Sequence, residues 1–414
     1  MQVHLGTITS SSLMESETHG FSKIDMRLPV HLDRYPAKMV SKLADELVMR
    51  YASSGTSVLD PFCGSGAILL AAQKRGIPTT GIDINPVAHL LTRVKLKGFG
   101  TAWAHLLANK LVETAKMVRP MQISWPLKNY WFTPATLDKF ERLRAAAVKL
   151  DLGSSREGEA LLLSLALSVR LCSKADQRSP KPFISQHARN TRKGRHFDPY
   201  SVLSKILEEL SEYYGDIKPL ASSHIVMGNF SSEQFVYPIG QHSHIITSPP
   251  YINAQDYFRN FKLELDILQG ILPFTVESIR DRFIGTERGD LLADISASKQ
   301  ADSLRVLPEL KRLTQRAPRL GAIVHRYIVD MEYAFAKVTK YLYPNGIFVL
   351  VCGDNLIGGI RIRTWRLLKE MLEARGFHLF DWYSDRIENR MLAPKRCGHK
   401  GLIKEEVICA FTTH

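Results

Sequence analysis

The reading turns on residues 57–75, Ser57-Val58-Leu59-Asp60-Pro61-Phe62-Cys63-Gly64-Ser65-Gly66 followed by AILLAAQKR. The apolar start reads as a short buried strand, and 67–75 as a helix ended by Gly76. Glycines at the join let the backbone take positive φ and approach a ligand closely. The helix behind them points its N-terminal amides and dipole at an anionic group. A second strand over 79–84 carries Asp83, where a carboxylate is placed to bind ribose hydroxyls. Pro86 then opens a second helix at the favoured first position. Strand–helix–strand–helix order predicts a parallel α/β sheet. No Gly-Lys-Ser/Thr follows the turn and it is not G-x-G-x-x-G, so a P-loop is excluded.

Working outward, 38–50 has apolar residues at helical spacing, and 1–24 reads as a loose polar arm. Beyond the second helix the pattern is helical at 102–117, 134–150, 158–171 and 201–214, the last capped by Asp198 and Pro199. Strand pattern returns at 224–227 and 244–247, and a mixed stretch spans 262–320. A helix over 323–342, an apolar strand over 346–352, a helix over 365–375 and strands over 378–383 and 405–412 complete the chain. Gly353-Asp354-Asn355 reads as a loop. Alternating units of about thirty residues need far less chain than separates Gly66 from Ser248. The expected division is therefore an arm, 1–24; a catalytic unit, 25–96 with 222–414; and a helical insertion, 97–221.

Composition narrows the partners. The chain has 414 residues, 45% hydrophobic and 23% charged, which suits a folded protein. Its net charge of +14 favours a polyanion, nucleic acid first. The five cysteines include no C-x-x-C pair, so neither a structural zinc site nor a disulfide framework is expected. No apolar run approaches the ~20 residues of a membrane span, and the N-terminal residues lack a secretory pattern. A soluble protein of a reducing compartment, the cytoplasm, is expected.

Residues 60–66, D-P-F-C-G-S-G, resemble the cofactor motif of S-adenosylmethionine-dependent amino-methyltransferases acting on DNA bases. Gly81–Pro86 (GIDINP) resembles that family's next motif. Asp33–Lys38 (DRYPAK) resembles the segment that folds back onto the methionine end of the cofactor. Thr247-Ser248-Pro249-Pro250-Tyr251 resembles its catalytic signature. The Ser form is typical of enzymes methylating N4 of cytosine, while Asp or Asn there is commoner for N6 of adenine. The resemblance implies a Rossmann-like class I methyltransferase fold: a mostly parallel sheet with a C-terminal antiparallel strand, here with a large helical insertion. It implies S-adenosylmethionine, with Tyr35, Pro36, Lys38, Asp60, Pro61, Phe62, Cys63, Gly64, Gly66, Asp83 and Ile84 as candidate cofactor residues. Asn229 either contacts the cofactor's adenine or serves a turn. The implied partner is double-stranded DNA, with a cognate restriction endonuclease as a companion; a monomer is the default. RNA, or adenine N6, is the nearest alternative substrate.

The chemistry accounts for the residue types. The lone pair of an exocyclic amino nitrogen is delocalised into the ring. Two acceptors aimed at its N–H bonds, the Ser248 hydroxyl and the Pro249 carbonyl, can pull it toward tetrahedral geometry. Pro249 and Pro250 preorganise the turn, and Tyr251 offers a ring to stack on an extruded base. Methylation at C5 would need a Pro-Cys nucleophile, and the sequence has no such dipeptide.

For DNA contact the candidates are Arg189, Arg192, Lys193 and Arg195 in the insertion, with Gln186, His187 and Asn190 able to reach base edges. A solvated basic loop is the alternative. Arg390, Lys395 and Arg396 form a second basic zone, and 305–319 a third. Asp256, Tyr257 and Arg259 either support the catalytic turn and touch DNA, or form a helix cap with a solvated arginine. The insertion is the first candidate for target recognition and 262–320 the second.

Overall fold

The computed structural model describes residues 18–19, 35, 39–179, 181–192, 197–252, 257–286, 308–386 and 405–413. Strand β1 (Thr18–His19) and helix α1 (Ser41–Tyr51) lead into β2 (Val58–Asp60), α2 (Ala67–Gln73), β3 (Thr79–Asp83) and α3 (Pro86–Lys97). After a run of helices come β4 (Ser223–Met227), β5 (His242–Thr247), β6 (Leu342–Gly353), a hairpin of β7 (Asn355–Ile357) and β8 (Ile360–Ile362), and then β9 (His378–Arg386) and β10 (Glu405–Thr412). One sheet runs in the order β1-β9-β10-β6-β5-β2-β3-β4. Strands β4, β3, β2, β5 and β6 are parallel, and β10 runs antiparallel between β6 and β9. This is the Rossmann-like methyltransferase arrangement expected from the sequence.

Side chains alternate across the sheet with the period of two that strand geometry dictates. On β6, Phe348, Leu350 and Cys352 enter one core with Leu59, Ile245 and Phe411. Val349 and Val351 enter the other with Val58, Ile246 and the apolar face of α1. The strand order reverses at β2, which has β3 on one side and β5 on the other. In such sheets the crevice beyond the carboxyl ends of these central strands is where ligands bind. The first of those ends is Asp60 and the other is Thr247, next to Ser248.

Between α3 and β4 lie α4 (Thr101–Met117), α5 (Lys128–Trp131), α6 (Pro134–Lys149), α7 (Arg156–Cys172), α8 (Gln186–Arg192) and α9 (Pro199–Tyr214). The side chain of Asp198 caps α9, accepting from Ser201 N. Helix α7 is the hub: Leu161, Leu162, Leu163, Leu165 and Val169 are all buried. Its two inward serines, Ser164 and Ser168, donate to the Ala160 and Leu165 carbonyls and so leave no hydroxyl orphaned. Helix α10 (Tyr257–Leu268), which follows the Ser-Pro-Pro-Tyr turn, joins the same apolar cluster through Phe258, Phe261, Leu265 and Leu268.

Several elements differ from the sequence reading. The mixed stretch contains α10, α11 (Val276–Arg280) and α12 (Pro308–Arg316). Helix α13 spans Pro318–Val338, earlier than expected, because Pro318 suits a helix start; α14 spans Thr364–Glu373. Asn355 is not in a loop but opens the β7–β8 hairpin. The turn glycines Gly358 and Gly359 have φ of 57° and 79°, the pair of positive values that a two-residue hairpin turn requires. Gly-Gly flanked by isoleucines was the available signal.

Candidate active site

The glycine turn is held from behind and from the side. Gly64 and Gly66 have φ of 49° and 74°, which favour glycine. Space requires it as well: a Cβ on Gly64 would lie 2.8 Å from the Tyr35 ring, and one on Gly66 2.6 Å from Thr92 of α3. From behind, Thr92 donates to the Gly64 carbonyl at 3.0 Å and Lys95 to the Ser65 carbonyl at 3.1 Å. From the side comes Asp83. Its Oδ2 accepts from Gly64 N at 3.0 Å and from the Tyr35 hydroxyl at 3.3 Å, and its Oδ1 from Asn85 N at 2.8 Å. The residue assigned to a ribose thus also locks the turn it faces.

Asp60 makes the second link. Its Oδ1 accepts from Phe62 N at 3.1 Å and from the Thr247 hydroxyl at 2.6 Å, which ties the end of β2 to the end of β5. Burial pushes the Asp60 carboxyl up to about 7, against the lowering effect of those two donors. Burial likewise pushes Asp83 up to about 6, against the N–H groups of Asn85 and Gly64 and the Tyr35 hydroxyl.

The cleft encloses about 790 Å³ of empty space, part of it open to solvent. Among the expected residues, Tyr35, Asp60, Pro61, Phe62, Cys63, Gly64, Asp83, Ile84, Asn229, Ser248 and Pro250 line it. Gly66 does not; it is the N-cap of α2, turned toward α3. Asn229 spends both ends of its amide on the protein. Its Oδ1 accepts from Ser231 N at 2.9 Å and its Nδ2 donates to Arg282 O at 2.6 Å. Asn229 thus serves a turn while it lines the cleft. Pro36, Lys38, Lys193, Arg195, Asp256, Arg390, Lys395 and Arg396 lie outside the described residues.

The expectation for Tyr251 needs correcting. Along the turn, Ser248 and Pro250 line the cleft, whereas Pro249 and Tyr251 do not. Extended backbone sends successive side chains to opposite sides. The Tyr251 ring is 7% exposed, packed in the sheet core, and its hydroxyl donates to Glu406 on β10. In this arrangement it offers no face to a base. The rings at the cleft are Tyr35, Phe62, Tyr257 and Phe283. Phe283 and Ile284 were missed, because their segment carried no periodicity; Asn229 holds that segment in place through Arg282.

Of the DNA candidates, Arg189 on α8 and Arg259 on α10 are exposed; α8 also includes Arg192. The structure adds a basic groove. Arg312 and Arg316 of α12 face Arg361 and Arg363 of the hairpin. Arg361 pairs with Asp354 at 3.0 Å and with Glu405 at 3.8 Å. The hairpin leaves β6 at its carboxyl end, the edge of the sheet that carries Ser248.

Residues 8–93 match the model of a family described as DNA methylase. The Type II methyltransferase M.AvaI of Nostoc is 24% identical over 390 residues, covering 84% of this chain and 78% of the relative. The Type II methyltransferase M.BsoBI of Geobacillus stearothermophilus is 24% identical over 265 residues, covering 57% and 52%. These matches make the chain similar to the DNA amino-methyltransferases. A short segment of 67 residues, 16% of this chain and 20% of the relative, is 39% identical to a tRNA (guanine(10)-N2)-dimethyltransferase of Methanothermobacter thermautotrophicus. The family's methyl donor is S-adenosylmethionine, and the cleft suits it. Two buried carboxyls with raised pKa flank a space of the right size, where a sulfonium and an ammonium would favour their ionised forms. Among the described residues no helix is long and apolar enough to cross a membrane.

The raised pKa values carry a prediction. A carboxyl raised on folding contributes stability that is full below about pH 4 and is lost as pH rises through its folded value, here about 6 for Asp83 and about 7 for Asp60. Bound cationic cofactor favours ionisation and expels those protons. Cofactor affinity should therefore tighten from pH 5.5 to about 7.5 and level off above, with proton release near pH 6 measurable by calorimetry in two buffers. PH-independent affinity over that window would contradict it.

Proposed function

We propose that this protein transfers a methyl group from S-adenosylmethionine to the exocyclic N4 of cytosine in double-stranded DNA. It acts at specific sites and on an extruded base. The observation that supports this reading most is Ser248: it lines the cleft in the Ser form of the turn, and Asp60 anchors the preceding residue, Thr247.

Each residue then has a task. Asp60, Asp83 and the 60–66 turn hold the cofactor, which supplies an electrophilic methyl group. Ser248 and the Pro249 carbonyl accept the amino N–H bonds and free the nitrogen lone pair. The prolines keep the acceptors in place before substrate arrives. Relatives named as Type II methyltransferases support a setting beside a restriction endonuclease reading the same DNA site; the proposed protein acts as a monomer in the cytoplasm. The helices between α3 and β4 are the proposed target-recognition region, with Arg189 and Arg192 against DNA.

The direct test is nucleoside mass spectrometry of DNA and RNA incubated with the protein and deuterated-methyl S-adenosylmethionine. Label in N4-methylcytosine supports the reading. Label in N6-methyladenine keeps the chemistry and changes the base; label in RNA alone changes the substrate.

The basic groove is proposed to hold the phosphate backbone. Replacing Arg316 and Arg363 together with alanine should lower the slope of log affinity against log salt by about two, since each phosphate contact contributes about 0.9. Cofactor affinity should not change. An unaltered slope in a fluorescence-anisotropy titration would place the DNA elsewhere.

A further inference from the structure

Residues 282–286, Arg282-Phe283-Ile284-Gly285-Thr286, belong to none of the motifs read from the sequence, yet Phe283 and Ile284 form part of the cleft wall. They follow α11 in a tight turn, with Thr286 N donating to Phe283 O at 3.1 Å. Gly285 takes φ of 65° at the third position of that turn, where a positive value favours glycine. Space agrees: a Cβ on Gly285 would lie 3.2 Å from the Tyr327 ring of α13. The turn is pinned on two sides. Asn229 Nδ2 donates to Arg282 O at 2.6 Å, and Gly285 N donates to Asp330 Oδ2 on α13 at 3.0 Å. Asp330 is itself held, because its Oδ1 accepts from Arg326 Nε at 2.9 Å. Between the pins, the Phe283 ring packs edge-on against Phe258 of α10, with centroids 6.1 Å apart.

Position along the sheet decides which part of the cofactor meets this wall. Ser248 follows β5 and Asn229 follows β4, with β2 and β3 between them. Three strand spacings amount to about 14 Å. Asp83, assigned to the ribose, ends β3. The reactive methyl lies toward Ser248, so the adenine falls beyond the ribose, at the β4 end. There Phe283 and Ile284 offer apolar surface to a flat ring, and the Asn229 amide is engaged in holding that surface.

We propose that Asp330 is a positioning residue for the cofactor: by holding Gly285 it sets Phe283 and Ile284 against the adenine. The proposal rests on the placement of the ribose at Asp83 and holds whichever nucleobase receives the methyl group.

The test is calorimetry with S-adenosylmethionine and S-adenosylhomocysteine, with thermal unfolding of each variant to confirm folding. Phe283→Ala should raise both dissociation constants about 30-fold, within the range for losing a ring packed on a base. The factor should be the same for both ligands, because the wall lies away from the sulfur. Asp330→Ala should raise both about tenfold, the worth of one well-placed hydrogen bond. Asp330→Asn, which keeps an acceptor for Gly285 N, should recover most of that loss. Phe283→Ala combined with Asp330→Ala should lose no more than Phe283→Ala alone, because Asp330 acts through the wall. In methylation assays Asp330→Ala should raise KM for the cofactor and leave kcat, since the adenine is bound equally in ground and transition states. Gly285→Ala strains the turn with Asp330 intact; it should reproduce the loss, and it decides the matter if Asp330→Ala does not fold. Wild-type affinity in Asp330→Ala or Gly285→Ala, additive losses in the double variant, or a fall in kcat at unchanged KM overturns the proposal. Calorimetry reads the cofactor directly, so such a failure leaves the methylation reading standing.

Discussion

Ser248→Ala should bind cofactor and DNA normally and methylate about 100- to 1000-fold more slowly. Removing one preorganised hydrogen-bonding group aimed at the reacting centre costs that much where charge changes in a water-poor site. The variant should fold. Tyr251 keeps its acceptor on Glu406, so no buried donor is orphaned. Rapid-quench kinetics separates chemistry from binding. A variant whose defect lay wholly in cofactor or DNA affinity would remove Ser248 from the reaction and return it to the turn.

Asp83→Ala should raise the dissociation constant for S-adenosylmethionine by at least about 100-fold, which is about 2.7 kcal/mol. Two losses combine. The carboxylate assigned to the ribose goes, and so does the acceptor of Gly64 N, Asn85 N and the Tyr35 hydroxyl. Buried donors without partners cost about 1–3 kcal/mol each, so the turn would open before a ligand arrived. Asp83→Asn keeps one acceptor oxygen but turns an N–H toward these donors, and should fall between. Calorimetry at pH 8 reads the effect, and an affinity within threefold of wild type would disprove the assignment.

The helical layer shows how far local pattern reaches. Helices α4, α6, α7 and α9 were legible, since each has apolar spacing and two carry proline starts. That α10 shares their core was not. It begins after the catalytic turn, and its partners on α3, α6 and α7 are remote in sequence. The β7–β8 hairpin was legible in principle from Gly358-Gly359, but its convergence with α12 into a basic groove depends on where β6 ends.

The sequence by itself determined the parallel sheet, the glycine turn, Asp83 at its strand end and the Ser-Pro-Pro-Tyr turn after β5. These are local: short buried runs, glycines that permit positive φ, and prolines that fix a bend are read within a few residues. Only the tertiary structure decided which way the side chains of that turn point. It put Ser248 in the cleft and Tyr251 against Glu406, because β10 lies antiparallel beside β6 and brings a carboxylate from near the end of the chain under the turn. It also decided that Asp60 reaches Thr247 and that Asp83 reaches Tyr35. Such contacts join residues far apart in the chain, and only the sheet order that packs both of its faces brings them together.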